Sequence, residues 1–280
     1  MRYGKFLPEK GTIGFVAPSF GCNIEPYRSA FINAQKIWEQ QGYGFSFGPN
    51  AYEGCGIGIS NTPQKCAEEF NDWYAKEDVD VLISCGGGEL MCEILPYIDF
   101  EKIRNSEPKW FLGYSDNTNL IFLLATLCDT AAIYGPCAAA FGMEPWHDSL
   151  KDAMGILKGN IKSVHNYEQW EKEGLKTEDN PLEPYNVTEK FQLRTWTAEK
   201  GLSIPDDISK KTDEIIQMEG RLLGGCLDCL SILCGTKFDQ VEQFNEKYKE
   251  DASLEHILRL VEEKEVPVEW YPLEHYKACG

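Results

Sequence analysis

At 280 residues and 42% hydrophobic composition, the chain can bury one large α/β core or two smaller ones, which excludes disorder as its dominant state. A formal charge of -18 with no compensating basic run opposes binding to a nucleic-acid polymer, because phosphates would meet a repulsive mean field. No stretch reaches the roughly 18 apolar residues of a membrane span, and MRYGKFLPEKGTIGFVAPS lacks a signal-peptide layout, so residence in the cytoplasm, away from membranes, is expected.

In chain order, GTIGFVAP (residues 11–18) reads as a buried strand entering a turn. Residues 28–41 place Phe31, Ala34, Ile37 and Trp38 at helical spacing and stop near Gly42. Residues 44–49 read as the next strand, and 62–76 as a helix with Pro63 at its start and Phe70, Trp73 and Tyr74 packing inward. The stretch 80–84 contains VLIS, apolar on both faces as a central parallel strand requires. It runs into Cys85, Gly86, Gly87, Gly88 and Glu89. Lacking Cβ atoms, these glycines suit either an anion-binding loop or simply a tight strand-to-helix turn.

Residues 109–113 read as a short buried strand and 119–127 as a helix, so Tyr114 to Thr118 forms a corner between them with Ser115 on it. Such a serine suits two roles, a helix N-cap or a nucleophile raised above the sheet edge near backbone N–H donors. The pattern departs from GxSxG, because Asn117 stands where the second glycine belongs. AAIYGPCAAAFG supplies a further strand and a turn. Repeated strand–helix units argue for a mainly parallel sheet, whose ligand crevice lies beyond the carboxyl ends of the strands. Ser115 and the glycine loop then share one edge.

From 159 to 209 the sequence turns polar, punctuated by Trp170, Pro181, Pro184 and Trp196, as a linker or an insertion would be. Residues 219–234 bring a second glycine turn and the helix-like CLDCLSILC. Cys226 and Cys229 have CxxC spacing there, but their apolar neighbours point to core packing instead of metal or redox chemistry. Eleven dispersed cysteines, an odd number, fit a reducing compartment. The charged stretch 242–265 reads as a solvated helix in which Glu255 and His256 are surface residues. The expected organisation is an N-terminal α/β domain carrying the nucleophile (1–150), a linker or substrate-side insertion (151–210), and a partial C-terminal domain (211–280).

Taken together, GTIGFVAPS, LISCGGGE, PKWFLGYSDNTNL, IYGP and GRLLGGCLDCLSILCGT resemble the LD-carboxypeptidase family of serine peptidases, including its microcin C immunity-like branch. The resemblance runs from residue 11 to about 249. It implies an α/β fold: an N-terminal, largely parallel sheet flanked by helices, and a smaller C-terminal α/β domain that looks incomplete in this chain. It implies Ser115 as the nucleophile, the N–H groups of Gly88 and Asp116 as the oxyanion hole, and Gly86, Gly87 and Trp196 on the substrate side. Ser253, Leu254 and Glu255 resemble an altered form of the family's glutamate-bearing strand, which makes Glu255 the implied catalytic carboxylate. No residue matches the family histidine, and His275 falls in a segment similar to the helix that precedes it.

The activity so implied is hydrolysis of an amide bond, by a serine carboxypeptidase, in an L,D-linked muropeptide or a microcin C-like peptidyl-nucleotide. No metal or other cofactor is needed for it. For Trp170 and Trp196, packing is expected ahead of stacking on a base. The family's homodimers imply a homodimer here. Because serine is a poor nucleophile without a base, the alternative is a catalytically impaired member serving as a peptide-binding or scaffold protein.

Overall fold

The computed structural model describes residues 1–191, 196–197, 201–202 and 221–248. Strands and helices alternate: β1 (Thr12–Val16), α1 (Tyr27–Gln40), β2 (Gly44–Phe47), α2 (Pro63–Ala75), β3 (Val81–Ser84), α3 (Phe100–Asn105), β4 (Trp110–Gly113), α4 (Thr118–Thr126), β5 (Ile133–Tyr134) and α5 (Asp148–Leu157). Beyond them, β6 (Gln169–Glu171) pairs antiparallel with β7 (Val187–Lys190), and β8 (Trp196–Thr197) with β9 (Gly201–Leu202). Helices α6 (Leu227–Leu233) and α7 (Val241–Tyr248) follow.

The first five strands form one parallel sheet in the order β2-β1-β3-β4-β5. This is the α/β architecture the repeated units imply. Chain direction across the sheet reverses between β1 and β3, and in such sheets that reversal opens a crevice at the carboxyl ends of the strands. Register brings those ends together: Val16 lies opposite Ser84, Ile83 opposite Leu112, and Gly113 opposite Tyr134.

Side chains alternate across the sheet, and helices bury both faces. Phe15, Ile83 and Leu112 enter one core with Phe31 and Trp38 of α1 and Leu150 and Leu157 of α5. Val16, Leu82 and Phe111 enter the other with Phe70 of α2 and Leu120 and Leu123 of α4. Fully burying a phenylalanine such as Phe15 or Phe111 contributes about 1.5–3 kcal/mol. Every residue of α4 from Thr118 to Leu124 is buried, because α6 covers its outer side with Leu230 and Leu233. The CxxC segment is thus a packed helix, with Cys229 buried.

Part of the polar stretch after residue 159, read as a linker or an insertion, is an antiparallel hairpin fastened to the first core. Glu144 N–H donates to the Leu182 carbonyl at 2.9 Å, and Tyr185 packs against that core. Helix α5, which the sequence pattern did not mark, crosses residue 150 and buries Leu150, Met154 and Leu157. Glu255, His256 and His275, like the side chain of Trp196, lie outside the described residues.

Candidate active site

Strand β4 ends at Gly113, and α4 begins only at Thr118, so the chain must reverse within a few residues. It does so at Ser115, whose φ is 60°, in the left-handed region that L-residues other than Gly seldom enter. A non-glycine residue held there stores strain, a feature that clusters at functional sites and is shared by nucleophile elbows. Ser115 is half-buried and its side chain makes no capping bond, with Asn117 as the N-cap residue of α4, so the N-cap reading fails.

The surroundings hold this conformation from several sides. Ser115 N–H donates to the Tyr134 hydroxyl at 3.1 Å, and the Cys229 thiol reaches the Ser115 carbonyl at 3.9 Å from α6. Asn117, the departure from GxSxG, explains itself: its amide nitrogen donates to the Gly86 carbonyl at 3.1 Å and the Tyr114 carbonyl at 3.0 Å. The residue replacing glycine ties the serine turn to the glycine loop.

The loop after β3 lies directly against the serine. A Cβ placed on Gly87 would stand 2.8 Å from Ser115 Cβ, and one on Gly88 would stand 2.4 Å from the Gly58 carbonyl oxygen, so only glycine permits this approach. Asp116 fastens the assembly from below. Its buried carboxylate accepts from Ser19 Oγ at 2.6 Å, Gly88 N–H at 2.8 Å and Met91 N–H at 3.3 Å. Burial pushes its pKa up, while those three donors pull it back. The Gly88 N–H, expected at an oxyanion, is therefore engaged with Asp116.

Ser115 opens onto a cavity of about 370 Å³. Its floor comes from the strand ends: Phe20 and Cys22 after β1, Cys85, Gly86 and Gly87 after β3, Tyr114 and Ser115 after β4, and Cys137 after β5. The hairpin supplies a further part of the lining, with Glu171, Lys176, Glu183 and Tyr185. Its size falls within the range of small-molecule sites. Burial raises the Cys137 thiol to about 12 and that of Cys85 well above its ordinary value, which leaves both protonated and poorly nucleophilic at neutral pH. Among the described residues, no imidazole lines the cavity: His147 caps α5, and His165 lies against Tyr167.

Of the residues singled out by sequence, Ser115, Gly86 and Gly87 come together at the cavity, with Gly88 and Asp116 bonded to each other beside it. Trp170, expected to pack, is half exposed on β6 of the two-stranded hairpin. Sequence reasoning missed Ser19, Cys22, Cys137 and the hairpin residues. Ser19 sits in the GTIGFVAPS motif and could have been found there; Lys176 and Tyr185 sit in polar sequence that carries no such signal.

Residues 13–135 match the LD-carboxypeptidase N-terminal domain. A protein of Vibrio cholerae named as a carboxypeptidase is 32% identical over 151 residues, 52% of this chain and 43% of its own length. The microcin C7 self-immunity protein MccF of Escherichia coli is 23% identical over 233 residues, 81% of this chain and 62% of its own length. The chain thus spans about two-fifths to three-fifths of the length of these relatives. The solved structure of MccF in its apo state matches with a TM-score of 0.67 at 22% identity, covering 84% of this chain and 66% of that one. MccF has also been solved with aspartyl sulfamoyl adenosine, at a TM-score of 0.66. These structures share the fold of this chain.

Proposed function

From a chain that belongs, through its N-terminal domain, to the LD-carboxypeptidase family, we infer a serine-type hydrolase of small peptides or peptidyl-nucleotides. The observation carrying this reading is Ser115 itself: a strained, half-buried hydroxyl at a strand-to-helix turn, opening on a cavity and abutted by Gly87.

In the proposed reaction, Ser115 Oγ attacks the amide carbonyl as its proton passes to a base; the tetrahedral intermediate then expels the amine, which takes up that proton, and water hydrolyses the acyl-enzyme left behind. The Asp116 backbone N–H at the helix start is the first proposed donor to the oxyanion. Gly88 N–H becomes the second by exchanging its bond to the Asp116 carboxylate for one to the oxyanion. Glu255, outside the described residues, is the proposed carboxylate of the base system. The proposed organisation has a nucleophile-bearing domain over 1–150, the substrate-side hairpin within 151–210 and further catalytic groups in 211–280. The proposed substrates are an L,D-linked muropeptide or a peptidyl-nucleotide, with action in the cytoplasm.

The test is release of D-alanine from an L,D-linked tetrapeptide, and of the nucleotide portion from aspartyl adenylate analogues, by wild-type protein and Ser115→Ala. Turnover that vanishes in Ser115→Ala supports the reading. One observation favours a second reading, peptide binding without catalysis: no imidazole lines the described cavity. Saturable binding by both proteins with no turnover by either would establish that one instead.

A further inference from the structure

The hairpin brings three charged side chains to the described lining of the cavity that Ser115 shares, and they are not equivalent. Glu171 accepts from the Asn186 N–H at 2.9 Å, and Glu183 accepts from the Asn180 side-chain amide. Lys176, partly buried in the same wall, has neither a hydrogen bond nor an ion pair with any described residue. Its ammonium carries three donors, and a partly desolvated cation gains from any acceptor that the cavity's occupant supplies.

The rest of the lining sharpens the contrast. Phe20, Tyr114, Ala139, Ala140 and Pro184 make much of the cavity surface apolar. Among the described lining residues, in a chain with net charge -18, Lys176 is the one basic side chain. The hairpin bearing it is held in place by the Glu144 to Leu182 bond and by Tyr185, whose ring lies 5.6 Å from that of His147. The cation is therefore presented to the cavity by an anchored wall.

Building on the hydrolase reading, we propose that Lys176 is a specificity-determining residue that holds an anionic oxygen group of the ligand while Ser115 faces the bond to be cut. The group is the free carboxylate of a C-terminal residue or the phosphate of a nucleotidyl portion; both offer oxygens to an ammonium as charge-assisted acceptors. Burial lowers the lysine's pKa, Glu171 partly offsets this, and a bound anion would restore the charged form. This arrangement gives a physical reason for preferring a free chain end to an internal peptide bond.

The test uses Ser115→Ala protein, so that no probe is consumed, and titration calorimetry with four probes: acetyl-L-lysyl-D-alanine, its C-terminal amide, AMP and adenosine. Charged probes are expected to bind roughly ten-fold more tightly than their neutral counterparts, the worth of one charge-assisted bond. Lys176→Met should erase that ratio, and Lys176→Arg should keep it. The pair that discriminates identifies carboxylate or phosphate as the source. Equal affinities within both pairs, a ratio that survives in Lys176→Met, or no binding of any probe would overturn the proposal. A lysine-dependent ratio in a protein whose wild type hydrolyses nothing would leave the anchor standing and remove the hydrolase reading.

Discussion

Replacing Ser115 by glycine should stabilise the protein while abolishing hydrolysis. The residue sits at φ 60°, where an L-side chain costs about 1–2 kcal/mol because Cβ crowds the following carbonyl. Glycine removes that cost but loses about 0.5–1 kcal/mol through the greater freedom of the unfolded chain. The net gain is about 0.5–1 kcal/mol, or roughly 1–3 °C in Tm for a domain of this size. Ser115→Ala removes the same hydroxyl yet keeps Cβ, so its Tm should stay near wild type. Thermal unfolding of the three proteins, followed by calorimetry, separates the terms, since both variants lose Oγ and only one loses Cβ. If the glycine variant melts at or below the alanine variant, the turn is not strained, and the argument from backbone geometry to nucleophile collapses.

Gly87→Ala puts a methyl 2.8 Å from Ser115 Cβ, an atom fixed to its backbone, so the serine or the loop must move; kcat/KM should fall about 10²-fold, the scale of a 1 Å misplacement, with only a small drop in Tm. Asp116→Asn turns an amide toward one of three donors that now share a carboxylate; urea unfolding should show a loss of about 1–3 kcal/mol, and an unchanged midpoint would show that these bonds do not hold the loops. Glu69, buried beneath the β1 loop, has its pKa raised from 4.5 to about 7 by desolvation, although the Ala17 and Asn50 N–H groups donate to it. Between these values the unfolded chain ionises first, so Glu69 makes the fold lose stability as pH rises through that window, by roughly 3 kcal/mol in all at about 1.4 kcal/mol per pH unit. The loss levels off above pH 7, and stability–pH curves of Glu69→Gln should lack it; parallel curves for the two proteins would refute the assignment.

The divide between what was legible and what was not follows the range of the interactions. VLIS and WFLG read as central strands because both faces of the sheet are buried, and that demand acts on each strand within its own few residues. The serine corner was legible for the same reason: a strand ending at Gly113 and a helix starting at Thr118 leave little chain in which to turn. Its strain was not, since a φ near 60° is no property of the letters SDN; it follows from the contacts of Tyr134, Asn117 and Cys229 around it. Asn117, a departure from GxSxG in sequence, proves to be the tie between the two loops. For the cavity wall only the coarse reading, a linker or substrate-side insertion over 151–210, was legible and its individual residues were not, because Lys176 comes to share a cavity with Ser115 only once the hairpin has docked on the turn after β5.

That asymmetry bears on how such a site can change. Ser115 stands at the sheet edge, where Gly87, Asp116 and Asn117 pack and bond around it and a single added methyl is felt. The hairpin wall is joined to the core through Tyr185, which also meets the His147 ring, and through the backbone bond at Leu182, and most of its described residues face solvent. Substitutions in the wall can therefore alter which ligand is held without disturbing the turn that holds the serine. A chimera carrying another hairpin over residues 169–190, with Leu182 and Tyr185 retained and α5 untouched, should keep the thermal stability of the first core and change ligand preference. If stability and preference instead fell together, the wall would be part of the core's cooperative unit, and Lys176 could not be read as a separable determinant of specificity.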